Sequence, residues 1–382
     1  MEEILDVIRV FTIEYIHYID NVFIYRLLQQ YKGSCRLESK PSEETRKLQF
    51  TGGSTYTISL PKKWIDQNQL TKGSVIKVRE EEGGLLLIIP TETATQQKLD
   101  EATIKVTPKD LPDSVIRKTV SAYLVGYNMI HIKAESQKPL SAKQRHEVKN
   151  FSRNMLVGTE LVTDTPQELT LQVLLSYPEL SIQSALRRMS IITASMHRDA
   201  ITSLKELDHL QAKEVATTDN EVDRFNLYIV RQLKTAIQNP RIIKEIGLQN
   251  ARDCLGYRLV TKSVERTADH AANIAENVLQ LSKQIEVETI EKLEEMSNIA
   301  VSMFETAIEA LFRQDYALAE SIVEKTKEVY SLEKAAVVSS QKMDIEEAPY
   351  LRLIIESIRR TAEYASDIAE IVLNLTVESI LS

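Results

Sequence analysis

Apolar positions in the second half of this chain recur at the three- and four-residue spacing of a helix face. Val260, Val264, Thr267, Ala271, Ile274, Val278 and Leu281 form one such stripe. The pattern returns 94 residues later as Ile354, Ile358, Thr361, Ala365, Ile368, Val372 and Leu375. Around it, Arg-Thr-Ala-Asp-His-Ala-Ala-Asn-Ile-Ala-Glu from 266 is matched by Arg-Thr-Ala-Glu-Tyr-Ala-Ser-Asp-Ile-Ala-Glu from 360. Identity at Arg, Thr, Ala, Ala, Ile, Ala and Glu marks an internal repeat rather than a shared period. Upstream, Met189, Met196, Ala200, Ile201 and Leu204 are mirrored by Met296, Met303, Ala307, Ile308 and Leu311 at an offset of 107. Asn239-Pro240 and Ala348-Pro349 are expected to break the chain ahead of the last long helix of each copy. The expectation for 181–382 is a six-helix up-down bundle of two tandem three-helix copies, about 181–283 and 288–382.

The first half reads differently. Residues 1–31 pattern as one amphipathic helix ended by Lys32-Gly33-Ser34, with polar linker to 45. It suits packing against a partner better than a membrane surface, because its polar face is not rich in Lys or Arg. Over 46–90 the spacing predicts strands at Lys47–Phe50, Thr55–Leu60, Val75–Arg79 and Leu85–Pro90, with a short helix at Lys62–Asn68 after Pro61. Gly52-Gly53-Ser54 and Gly83-Gly84 supply turn chemistry. Residues 91–180 alternate strand Ala102–Val106, helix Leu111–Tyr127, strand Met129–Ala134, helix Ser141–Leu156 and a hairpin of Thr159–Val162 with Leu169–Leu175. That order predicts a compact α/β linker domain on a small mixed or antiparallel sheet. His131 and His146 read as solvated or structural there, and no nucleophile motif or phosphate loop appears. The fold class expected is multidomain α+β.

Cys35 and Cys254 are the only cysteines, which excludes a disulfide framework and fits a reducing, cytoplasmic setting. No stretch approaches the ~20 apolar residues of a membrane span, so no stable membrane insertion is expected. The net charge of −8 is unevenly placed. Residues 46–90 hold seven Lys/Arg against four Asp/Glu, while 181–382 hold 24 against 32. A small basic module thus precedes an acidic helical half, and the asymmetry points the module at a polyanion.

Ile58-Ser-Leu-Pro61, the short helix that follows, Leu70-Thr-Lys-Gly-Ser-Val-Ile-Lys-Val78 and the closing strand to Pro90 make 46–90 resemble the SpoVT/AbrB swapped-hairpin DNA-binding family. The resemblance implies a homodimer of interleaved hairpins, since a module this small buries no core alone. It also implies DNA contacts, for which Arg46, Lys47, Thr55, Lys62 and Lys63 are the candidates. The family's arginines are replaced by Ser54-Thr55 and Ile65-Asp66, so a pure dimerisation role is the competing reading.

Asp219 with Asp223, and Glu265 with Asp269, are carboxylates four residues apart on helices that follow one another. If those helices are antiparallel neighbours, the four acids meet, and protons or a multivalent cation must offset ~3 kcal/mol of repulsion per close pair. The bland alternative is a solvated acidic face. The tandem copies with Glu265-Arg-Thr-Ala-Asp269 and Ile-Ala-Glu276 resemble PhoU, the phosphate-uptake regulator family. The resemblance implies metal held through E/D-x-x-x-D motifs, which map onto Asp219, Asp223, Glu265 and Asp269, with Asn273 and Glu276 weaker candidates. Fe, Zn, Mn and Mg all suit such oxygen donors. In the second copy Arg359, Thr326 and Tyr330 replace three of the four acids, and only Glu363 and Asp367 keep the spacing. A second metal site is therefore not expected.

Together the resemblances imply a homodimeric DNA-binding transcriptional regulator of phosphate uptake, of archaeal type, and not an enzyme. One alternative is an adaptor that inhibits a phosphate transporter or its signalling kinase without touching DNA. The other, a carboxylate-metal enzyme, is disfavoured because the Glu-x-x-His pair of di-iron bundles is missing.

Overall fold

The computed structural model describes residues 44–52, 55–81, 84–90, 101–135, 138–175, 180–238, 240–340 and 346–381. The helix expected over 1–31, nearly all of the linker after it, and residues 53–54 and 83 of the expected turns lie outside them. The chain divides into two compact units, 1–98 and 99–382.

The first unit contains two antiparallel hairpins. β1 (Gln49–Thr51) pairs with β2 (Thr55–Thr57), and β3 (Ile76–Glu81) pairs with β4 (Leu85–Pro90). The first two strands are shorter than the expected runs. Ile58 to Leu60 leave the ladder as the chain approaches Pro61, whose ring fixes φ and removes a donor. Between the hairpins lies α1 (Lys62–Gln67), and its last turn closes on Asn68.

Two layers begin the second unit. β5 (Glu101–Val106) runs parallel to β6 (Met129–Ala134), which pairs antiparallel with β8 (Glu168–Val173), and β7 (Thr159–Asp164) closes the edge. The sheet is mixed because the β5–β6 connection crosses over through α2 (Pro112–Val125), while β7 and β8 are joined by a tight turn. α3 (Ala142–Met155) starts on a capping box in which Ser141 and Gln144 satisfy each other's backbone N–H. Val106, Ile130, Ile132, Leu169 and Leu171 meet Val115, Tyr123 and Val148 in one core.

The bundle comprises α4 (Ile182–Glu206), α5 (His209–Gln238), a short α6 (Pro240–Glu245) and α7 (Ala251–Val278), then α8 (Val287–Arg313), α9 (Tyr316–Ser340) and α10 (Ala348–Thr376). Each long trio packs on itself, and the trios join through α7 against α10 and α4 against α8. The two prolines act differently. Pro240 starts a one-turn helix of its own, whereas Pro349 sits in the first turn of α10, where its missing N–H costs nothing. Thirteen of the fourteen stripe positions are buried, Leu375 alone being half-buried. The repeated threonine has a local task, since Thr267 and Thr361 are buried and return their hydroxyls to the carbonyls of Ser263 and Ser357. Their alanine neighbours Ala268 and Ala362 are fully buried and leave room for α7 and α10 to approach closely.

Candidate functional site

α5 presents Asp219, Asp223 and Asn226 on one face, and α7 presents Lys262, Glu265 and Asp269 at three- and four-residue spacing. The helices are antiparallel neighbours: His209 near the start of α5 donates from Nε2 to the Leu281 carbonyl just beyond α7, at 3.1 Å. The four expected acids therefore share one groove. Glu265 is fully buried, Asp223 is 6% exposed, and Asp219 and Asp269 are partly exposed.

Burial and mutual repulsion hold the carboxyls of Asp219, Asp223 and Asp269 above their ordinary range. Desolvation dominates at Asp219, with Glu265 and Glu276 adding to it, and the acid is pushed up to about 7. Asp223 is raised by burial and then by Asp219 and Glu265, while Lys262 opposes. Asp269 is raised by burial, Glu265, Asp219 and Asp223, again against Lys262. The groove is short of positive charge even with Lys262 in it. That lysine lies 2.8 Å from Glu265 Oε2 and 3.1 Å from Oε1, its side chain 9% exposed.

The donor set is all oxygen, as hard or borderline cations require. Asp219 Oδ1, Asp223 Oδ1 and Asn226 Oδ1 are buried and have no hydrogen-bond partner among the described residues. In chemistry and charge the groove fits a cation. The convergence of all four acids on one point needs correction, however. Among the described residues no three His, Cys, Asp or Glu side chains are gathered so that they could hold a metal ion. Lys262 donates to Glu265 Oε1 and lies at ion-pair distance from Oε2, which has no hydrogen-bond partner among the described residues.

The second copy inverts the charges. Glu265 and Lys262 are answered by Arg359 and Glu356, and Asp223 and Asn226 by Tyr330 and Glu333. Arg359 reaches Glu333 at 3.0 Å, Glu356 at 3.7 Å and Glu363, while the Tyr330 hydroxyl donates to Glu363 at 3.0 Å. A guanidinium fills the centre of this patch. His270 lies within reach of the charges of Arg359 and Glu363, bonded to Ser357 Oγ (3.2 Å) with its ring tilted against that of Tyr364. Asn273 is half-buried one turn beyond Asp269.

In the first unit, Lys47, Thr55, Lys62 and Lys63 are exposed, the two last at the start of α1. Arg46 is exposed as well, but its guanidinium is paired with Glu44. Leu70 is the single buried apolar side chain among the described residues of this unit; Leu48, Phe50, Tyr56, Val78, Leu85 and Leu86 are all more than half exposed.

Reading the sequence missed Lys262 and Arg231. Lys262 was legible, since 262, 265 and 269 share a helix face. Arg231 was not. From α5 it donates to the Tyr123 carbonyl, to the Gly126 carbonyl (3.0 Å) and to Asn128 Oδ1 (2.9 Å), tying the bundle to the end of α2.

Two segments, 186–278 and 293–372, match the PhoU domain, and 49–96 match the family described as antidote-toxin recognition MazE, bacterial antitoxin. A phosphate-specific transport system accessory protein PhoU homolog 1 from Thermotoga maritima is 24% identical over 198 residues, covering 50% of this chain and 83% of that protein. A PhoU homolog of the same description from Xylella fastidiosa is 30% identical over 104 residues, 27% of this chain and 41% of the relative. Among solved structures, the phosphate transport system regulatory protein PhoU from Streptococcus pneumoniae aligns over 53% of this chain and 96% of its own, at 20% identity and a TM-score of 0.46. PhoU from Pseudomonas aeruginosa aligns over 52% and 96%, at 21% identity and a TM-score of 0.43.

Proposed function

From a chain that carries two PhoU domains behind a MazE/AbrB-type module, we propose a homodimeric DNA-binding regulator of phosphate uptake, with the bundle as its sensing or docking half. The observation that carries this reading is the module itself. Its apolar side chains stand in water in a single chain, and Lys47, Lys62 and Lys63 are exposed beside them. A second copy covers the first, and the doubled lysines offer phosphate contacts to a duplex. The sensing half binds a divalent or trivalent cation, Fe, Zn, Mn or Mg, in the groove of Asp219, Asp223, Glu265 and Asp269. The three unpartnered oxygens support that part. A bound cation would supply positive charge and fix the relation of α5 to α7. It must displace protons from the raised carboxyls, so its binding strengthens as pH rises.

Gel-shift titration of the full chain against promoter fragments recovered from a genomic pull-down tests the reading. Lys62→Ala with Lys63→Ala should weaken binding across all sequences and lower the salt slope by ~0.9 for each phosphate that the protein no longer neutralises. The dimer should survive. If the chain dimerises yet retards no promoter at low salt, the adaptor reading replaces it: Arg46 is already taken by Glu44, and the bundle then acts through a transporter or its signalling kinase.

A further inference from the structure

The two edges of the mixed sheet differ. β7 is guarded: its ladder slips at a bulge between Leu161 and Thr163, and Asp164 at its end is held by Arg145 and Lys149 of α3. β5 has neither device, and no described strand lies beyond it. The Val106 carbonyl accepts from the Glu135 N–H just past β6, at 2.9 Å. Val106, Ile104 and Ala102 therefore turn their backbone polar groups inward to β6, and Glu101, Thr103 and Lys105 turn theirs outward. Thr107 ends the run, because its N–H is taken by Asp110 Oδ2 at 2.7 Å. The side chains of Glu101, Thr103 and Lys105 stand exposed on the open face of the sheet, opposite the core that buries Val106.

We propose that β5 pairs antiparallel with β5 of a second copy of this chain, centred on Thr103, joining two four-stranded sheets into one across the dimer. The strand is self-complementary in that register, the only one that uses all three outward residues of both copies. Thr103 meets its own counterpart, and Glu101 meets the partner's Lys105 at either end. A lone lysine on an edge strand repels a second copy; with a glutamate four residues before it, the same lysine selects one. On the inner face Ala102 and Ile104, each half-buried in a single chain, lie opposite one another and cover the end of the core. The contact is isologous and closes on itself, whereas β5 against the guarded β7 would run on as a filament. A patch of three paired residues does not hold two free chains together, so the inference rests on the dimer proposed above. Ten residues link Pro90 to Glu101, and the joined modules keep the two strands at a high effective concentration. Because Arg231 fastens the bundle to the end of α2, the joined sheet holds both bundles in a fixed relation.

Disulfide trapping in the full chain, carrying Cys35→Ser and purified in reductant, tests this; Cys254 is buried and stays. In a hydrogen-bonded antiparallel pair the two Thr103 Cα atoms lie ~5.5 Å apart, within disulfide reach. Thr103→Cys should give mostly covalent dimer on mild oxidation, and the parent chain none. Lys105→Cys alone should trap poorly, because its counterpart in this register is residue 101 and the two copies of residue 105 are ~14 Å apart. Adding Glu101→Lys to Thr103→Cys should slow trapping about tenfold, since two attractive pairs become repulsive, while sedimentation still shows a dimer. Adding Lys105→Glu as well should restore the rate, which a misfolded variant would not recover. A chain that sediments as a dimer but traps no faster at 103 than at 105 overturns the edge pairing and leaves the dimer reading standing. Trapping at 103 that ignores both charge changes overturns the register. A chain that is monomeric in reductant and traps at neither position sinks both readings.

Discussion

Asp219, Asp223 and Asp269 hold their protons more tightly folded than unfolded, because burial and one another's charge penalise ionisation. The sign follows by linkage. Between the unfolded carboxyl range near 4 and the folded value, about 7 for Asp219, the unfolded chain binds fewer protons, so these acids make stability fall as pH rises. His197 and His270 pull the other way. Burial lowers them to about 3 and about 4, so acidification below the usual histidine range costs stability. A single melting profile mixes both slopes. The difference between Asp219→Asn and wild type isolates the carboxyl: in chelator it should be small at pH 4.5 and grow by roughly 3 kcal/mol in the variant's favour by pH 8. A difference that stays flat across that range would show that Asp219 is ordinarily solvated. His197 itself is a core group, set between Ser297 Oγ (3.0 Å) and Thr361 Oγ1 (3.3 Å), which links α4 to both α8 and α10.

Among the elements, α5 has contacts on two sides. One stretch lines the groove with Asp219 and Asp223; one turn further on Leu227 packs on the α/β core, and two turns on Arg231 binds the carbonyls at the end of α2. Gly126, at φ 112°, lets α2 end there, and a Cβ on it would meet Thr235 Oγ1 of α5 at 3.1 Å. Arg231→Met leaves charge-assisted acceptors without their donor and should cost about 3 kcal/mol. Urea unfolding should then separate into two transitions, the α/β domain first. Gly126→Ala should cost about 1–2 kcal/mol through the same interface. If both variants unfold in one transition at the wild-type midpoint, this contact does not couple the domains.

On the scale of the whole molecule, the first unit buries Leu70 but leaves Val78 and Leu86 more than half exposed on one face of the second hairpin. Fully burying one such side chain is worth ~1.5–3 kcal/mol, and a single chain forgoes it. Val78→Glu should therefore convert a dimer to a monomer in analytical ultracentrifugation. Promoter binding should fall with it, and the melting of the bundle should be unchanged. A dimer that persists with that substitution would place the self-contact elsewhere. No helix among the described residues is long and apolar enough to cross a membrane.

What the sequence by itself determined is whatever depends on spacing along one segment. The stripes from Val260 and from Ile354 specify two helices and the faces they bury, and the strand Met129–Ala134 was legible to the residue from its β-branched alternation. The repeat was legible too, because both copies face the same packing demand at Thr267 and Thr361. The four acids could be assigned to one groove only on the condition that α5 and α7 are antiparallel neighbours. Tertiary structure alone decided which charge answers which. Lys262 turning to Glu265, Arg359 gathering three glutamates, and Arg231 crossing to another domain depend on which helices abut and how far water is excluded between them. Periodicity records that a position is buried; it carries no record of the partner that makes burying a charge tolerable.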